Sequence, residues 1–299
     1  MPTTTRSDRP DGPTIQYETF GDATNPTLLL VNGLGSQLIN WEPAFCARFV
    51  ERGLRVVVFD NRDVGLTSKT AGPTPDAAAL MRRFRHGDPP SAGDVPYTLA
   101  DMAEDGFAVL DAVGAERAHI AGMSMGGMIV QRMAINRPER VVSLTSIMST
   151  TGANGVGKAT PEAAASLVEP APHDRDEYIE YTVRTRALTG GSYNADAYWR
   201  EQAGRVYDRM FHPGGEAFQI AAVASDGDRT EELRTLSVPS LVIHGRLDPL
   251  LALSGGEATA AAIPGADLLV IDEMGHDLPP EIWDDVVGAM TRLMEGTNA

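Results

Sequence analysis

Ser124 stands in Gly122-Met123-Ser124-Met125-Gly126, directly after the apolar run Ala118-His119-Ile120-Ala121. A serine hydroxyl is a poor nucleophile near neutral pH unless a base takes its proton. The glycines on either side let the backbone turn sharply from a strand into a helix starting near Gly126, which lifts the hydroxyl clear of the sheet. The same helix start leaves N–H groups without carbonyl partners, where a developing oxyanion can be held.

Two later segments offer the base and the acid this chemistry needs. Leu241-Val242-Ile243-His244-Gly245 reads as a buried strand and delivers Asp248 just past its end, before Pro249. Leu268-Leu269-Val270-Ile271 reads as the next strand and runs into Asp272-Glu273-Met274-Gly275-His276-Asp277. An imidazole titrates in the useful range, so His276 is the expected base and Asp248 the carboxylate that fixes its tautomer. Asp272, Glu273 and Asp277 remain as alternative acids, though their closeness to His276 in sequence makes them hard to aim at it. His119 and His244 fall inside strands and read as core or supporting residues, while His86, His173 and His212 fall in loops or in a helical segment. The oxyanion donors expected are the backbone N–H of Met125 and that of Leu34, in the loop Val31-Asn32-Gly33-Leu34-Gly35.

These residues need a scaffold that gathers several strand ends at one edge. β-rich runs at 27–31, 56–59, 119–121, 141–147, 240–244 and 268–271 alternate with helical stretches, which predicts a mostly parallel, doubly wound α/β sheet. Each run is nearly continuously apolar, as strands covered on both faces are. Residues 15–19 alternate instead and predict an antiparallel edge strand. A helix is expected over 99–113, with Met102, Phe107, Val109, Leu110 and Val113 apolar and Gly114 ending it.

From 150 to 236 the alternation stops. Pro161, Pro170 and Pro172 are followed by helical patterns at 176–188 and 196–210 and by a concentration of aromatics. This predicts a helical lid inserted between core segments 14–149 and 237–299, over the carboxyl edge where open α/β sheets bind ligands. Trp41, Tyr178, Tyr181 and Trp199 are the expected substrate contacts, and most other aromatics there are expected to pack the lid's own core.

The whole chain constrains the rest. With 299 residues, 42% of them hydrophobic, it can bury roughly three quarters of its unfolded surface without disulfide or metal staples. Cys46 is the only cysteine, which rules out an intramolecular disulfide and is expected of an inert apolar thiol in a cytoplasmic protein. Residues 1–13 are polar, unlike a secretory leader, and are expected to be flexible. No window approaches the roughly 20 apolar residues of a membrane span. A net charge of −16 disfavours nucleic acid and anionic lipid surfaces as partners. Neither cofactor nor metal is expected, and the sequence does not specify an oligomeric state. A dinucleotide-binding reading of Gly33-Leu34-Gly35 with Asp60 lacks its third glycine, because Leu38 occupies that position. A non-catalytic binding protein would leave the serine, acid and base without a task.

At these residues the chain resembles the α/β-hydrolase family from about Ile15 to the C-terminus. The order Ser, Asp, His is that family's order. Asn32-Gly33-x-Gly35 with Trp41 is similar to its oxyanion loop, with Asn32 in place of the usual histidine. Asp60-Asn61-Arg62-Asp63-x-Gly65-x-Thr67-Ser68 is similar to its segment after the second strand, with Asp63 where glycine is common. Asn61-Arg62-Asp63 and Met274-Gly275-His276-Asp277-Leu278-Pro279 most resemble actinobacterial carboxylesterases and methyl-esterases of anthracycline-type polyketides. The resemblance implies cofactor-independent hydrolysis of a small-molecule carboxylic ester, apolar or ring-bearing. Thioester, lactone or carbon-carbon bond hydrolysis on the same triad stays open. A serine rather than an aspartate at 124 argues against the family's haloalkane dehalogenases and epoxide hydrolases.

Overall fold

A computed structural model describes residues 2–5, 12–193 and 196–297, the side chain of Arg85 excepted. The strands are β1 (Thr3–Thr4), β2 (Ile15–Phe20), β3 (Thr27–Val31), β4 (Arg55–Phe59), β5 (Ala118–Met123), β6 (Val141–Ile147), β7 (Ser240–Gly245) and β8 (Asp267–Ile271). They form one sheet in the order β1-β2-β4-β3-β5-β6-β7-β8. Pairing is parallel from β4 through β8, and β2 runs antiparallel to β4. The helices are α1 (Pro43–Val50), α2 (Ala77–Arg85), α3 (Leu99–Ala112), α4 (Met125–Asn136), α5 (Pro161–Ser166), α6 (Arg175–Thr189), α7 (Asp196–Arg209), α8 (Gly215–Asp226), α9 (Thr230–Leu233), α10 (Ser254–Ala262) and α11 (Trp283–Gly296).

The apolar runs split by residue parity, because side chains alternate faces along a strand. Leu29, Val31, Val57 and Phe59 pack with Phe107 of α3 and Ile129 of α4 on one face. Leu28, Leu30, Val56 and Val58 pack with Phe45 of α1 and Val286 of α11 on the other. Burying the strands from both sides explains why they read as unbroken hydrophobic stretches. β8 departs from that expectation: Leu268 is exposed and the rest of the strand is at most half-buried, because β8 ends the sheet and has one strand neighbour.

One further expectation is corrected at the opposite edge. β2 is antiparallel, but Thr3–Thr4 pairs outside it, so it is not the edge strand. Of the segment expected to be flexible, residues 1 and 6–11 lie outside the described residues. Thr3–Thr4 makes that pairing, and the Tyr17 N–H beside it donates to the Pro2 carbonyl at 3.1 Å.

Between β6 and β7 the chain is helical, α5 through α9. It is tied to the sheet by buried polar contacts. Arg209 of α7 forms an ion pair with Asp60 at 2.8 Å, and the Gln37 amide donates to the Val206 and Met210 carbonyls at 2.9 and 2.8 Å. Among the described residues no helix is long and apolar enough to cross a membrane.

Candidate active site

Ser124 joins β5 to α4 with φ 55° and ψ −120°, a backbone conformation that a residue with a side chain rarely adopts. Neighbouring contacts hold it there. Its N–H donates to the Ile147 carbonyl at 2.9 Å, and its own carbonyl accepts from the Ser149 hydroxyl at 2.8 Å and the Gly127 N–H at 2.9 Å. The flanking glycines act through space rather than through special dihedrals. A Cβ on Gly122 would run into the Gly126 carbonyl, and one on Gly126 into the Val31 carbonyl. The positive φ belongs to the serine itself.

His276 lies on the loop after β8 and Asp248 just past β7, both at the edge where β5 ends. His276 Nε2 is 2.9 Å from Ser124 Oγ, and its Nδ1 is 2.7 Å from Asp248 Oδ2. A neutral imidazole satisfies both at once, with Nδ1–H donating to the carboxylate and Nε2 accepting from the hydroxyl. The second carboxylate oxygen, Oδ1, accepts the Leu250 and Leu251 N–H groups at 2.9 and 2.8 Å, so Asp248 is held at both ends. The alternative acids are engaged elsewhere. Asp272 pairs with Arg246 at 2.6 Å on the surface, and Glu273 is exposed. Asp277 accepts the Gly191 and Gly275 N–H groups at 3.2 and 3.3 Å, which joins the chain after α6 to the His276 loop. The His276 N–H reinforces that join by donating to the Thr189 carbonyl at 2.7 Å.

The other strand histidines sit where their sequence positions placed them. His119 is buried against the Ser143 hydroxyl at 2.8 Å, and burial, aided by Arg117, pushes its pKa down to about 4. His244 contacts the Leu251 carbonyl through Nε2 at 2.7 Å, which places the proton on that nitrogen, and burial holds its pKa below the usual histidine range. It lies 3.6 Å from Asp248 Oδ2.

The loop after β3 passes directly beside the serine: a Cβ on Gly33 would stand 3.2 Å from Ser124 Cβ. Among the described residues neither the Leu34 nor the Met125 backbone N–H has an acceptor, so both keep their donor capacity at this edge. Asn32 has a structural task in that loop. Its side-chain amide donates to the Gln37 carbonyl at 3.0 Å and closes the turn, while the Asn61 amide donates to the Asn32 carbonyl at 2.9 Å. Asp63 has φ 67°, which accounts for glycine's usual place there; aspartate tolerates the conformation, and its carboxylate accepts from the Tyr97 hydroxyl at 2.7 Å.

A cavity of about 220 Å³ opens above Ser124 and His276, with Tyr178, Tyr181 and Trp199 of the helical segment in its wall. Trp41 is a correction. It is 1% exposed, stacks on Phe45 at 5.6 Å within the core under α1, and is not among the residues lining the cavity. Its place near the glycine loop in sequence carries no information about which side of the loop it faces.

Residues not singled out in the sequence complete the site. Gln219 of α8, fully buried, accepts the Gly35 N–H at 2.9 Å and donates to the Arg62 carbonyl at 2.7 Å, bracing the loop that carries Leu34. Glu216, one turn earlier on α8, and Arg186 of α6 line the cavity. Polar residues on a helix read as solvent-facing, and only the three-dimensional paths of α6 and α8 bring these side chains to the cavity and the β3 loop.

Comparison with known proteins gives consistent results. Residues 26–281 match the family model described as the alpha/beta hydrolase fold. Rhodomycin D methylesterase DnrP of Streptomyces peucetius is 27% identical, over 94% of this chain and 94% of that protein. 3-Oxoadipate enol-lactonase 2 of Acinetobacter baylyi is 27% identical, over 93% of each. A crystal structure of a hydrolase from Pseudomonas aeruginosa superposes with a TM-score of 0.69 at 26% identity, covering 95% of this chain and 96% of that one.

Proposed function

Because the chain belongs to the α/β-hydrolase fold family, we propose that it is a serine hydrolase of carboxylic esters, working through an acyl-enzyme. The observation that carries this reading is the continuous hydrogen-bonded chain Ser124–His276–Asp248 opening onto a cavity. Ser124 Oγ attacks the ester carbonyl while its proton passes to His276 Nε2. The carbonyl π electrons move onto oxygen, and the Leu34 and Met125 N–H groups hold that charge. Collapse breaks the C–O bond to the alcohol, which leaves with the proton from His276. Water then attacks the acyl-enzyme with His276 as base, and the serine regains its proton as the acid departs. Asp248 orients His276 and stabilises the imidazolium. No step needs a cofactor.

The helical segment 150–236 acts as a lid over this edge. Its Tyr178, Tyr181 and Trp199 favour an apolar or ring-bearing substrate, since concave sites lined by aromatics select such groups. The methylesterase relative supports ester cleavage. A second reading, lactone hydrolysis, is favoured by the enol-lactonase relative and uses the same steps, with the leaving alcohol tethered to the acyl group.

Ser124→Ala is the direct test. It is expected to keep the wild-type circular dichroism spectrum and thermal midpoint and to lower ester hydrolysis by about 10³-fold or more. Near-normal turnover by that variant would remove Ser124 from the nucleophile's role.

A further inference from the structure

Glu216 is a carboxylate that the chemistry above does not use. It projects from the first turn of α8 against Gly35, where any side chain on that glycine would strike its carboxyl group. It lines the cavity over Ser124 and also an adjoining cavity of about 330 Å³, so it stands at the junction of the two. Its side chain is accessible, and the protein packed around it raises its pKa above the usual carboxylate value. It forms no ion pair and no hydrogen bond among the described residues.

An accessible carboxylate on a cavity wall with no partner of its own is open to a cation carried by a ligand. The other charges of the cavity have partners. Arg186 lies over the Trp199 ring, 4.9 Å from its centroid, reaches the His276 carbonyl, and balances Asp277, which two N–H groups also hold. Glu216 alone lacks a counter-charge. Tyr178 and Tyr181, one turn apart on α6, line the same cavity and are close enough to feel it: burial first, and the Glu216 charge second, raise both phenols. A carboxylate that shares a cavity wall with two tyrosines matches a protonated amine, which gains a charge-assisted hydrogen bond from the one and attraction to an aromatic ring from the others.

We propose that Glu216, Tyr178 and Tyr181 form a recognition site for an ammonium group on the substrate, so that the enzyme selects amine-bearing esters. This rests on the ester-hydrolase reading and adds the substrate's chemical class to it. Glu216 determines specificity here and takes no part in bond cleavage.

The test uses ester pairs that differ only in charge, such as 4-(dimethylaminomethyl)phenyl butyrate and its carbon isostere 4-isobutylphenyl butyrate. Matching pairs carry the amine in the acyl half. Wild-type enzyme is expected to favour the ammonium member of at least one pair in kcat/KM, through KM. Glu216→Gln, nearly identical in shape, is expected to reduce that preference about 10-fold or more. Separately, benzylammonium binding is measured by calorimetry with wild type and with Glu216→Gln, and is expected for wild type only. The proposal is overturned if no pair shows a preference, if Glu216→Gln leaves the preference intact, or if it lowers both members equally, as a structural role would. Enzyme inactive on every ester contradicts the hydrolase reading instead, and benzylammonium binding then still decides the site.

Discussion

At the scale of single residues, the geometry separates one carboxylate from several near it. Asp248 and Asp277 are both buried within reach of the His276 loop, but Asp248 takes the Nδ1 hydrogen bond and Asp277 takes backbone N–H groups. Asp248→Asn should therefore leave the imidazole in the wrong tautomer and lower kcat by about 10⁴-fold, whereas Asp277→Asn should cost far less. Steady-state kinetics of the two variants on one ester check the contrast, and equal losses would return the acid's role to the pair. Ser124, Asp248 and His276 were legible in the sequence because each follows an apolar strand within a few residues, so strand ends alone brought them to one edge. Glu216 and Gln219 were not. Their contacts with Gly35 span more than 180 positions, and no local pattern marks a helix residue that turns toward a loop so distant in sequence.

At the scale of elements, the runs that became β3 to β7 could be read because burial on both faces leaves an unbroken apolar signature. β1 could not, since a pair of threonines on an edge carries no hydrophobic signal at all. The join between α7 and the sheet was equally silent. Asp60 is fully buried and accepts the Leu38 and Leu66 N–H groups at 2.7 and 2.8 Å as well as Arg209. Removing only the cation strands the carboxylate, which in buried pairs costs several kcal/mol. Arg209→Met is thus expected to destabilise the protein by about 3 kcal/mol in a denaturant titration. It should also speed proteolysis within α7. An unchanged midpoint would mean that this ion pair holds nothing in place.

At the scale of the whole molecule, one sheet supplies every element of the proposed chemistry from a single edge, and its core needs no covalent staple. The lone thiol shows how closed that core is. Cys46 is fully buried, its pKa pushed up to about 12 by burial and by the Glu42 charge. A thiol reagent at pH 8 should label it only on the timescale of global unfolding and at once in denaturant, and fast native labelling would contradict the packing around α1. Among the serines of the described residues, Ser124 is the one hydrogen-bonded to His276. The most direct measurement of the central claim follows from that contrast. The folded enzyme is treated with a fluorophosphonate, its intact mass is recorded, and the modified peptide is mapped. The expected result is one phosphonyl group per chain, on Ser124, with parallel loss of ester hydrolysis. Loss of activity with the label on another residue, or full activity with Ser124 modified, would contradict it.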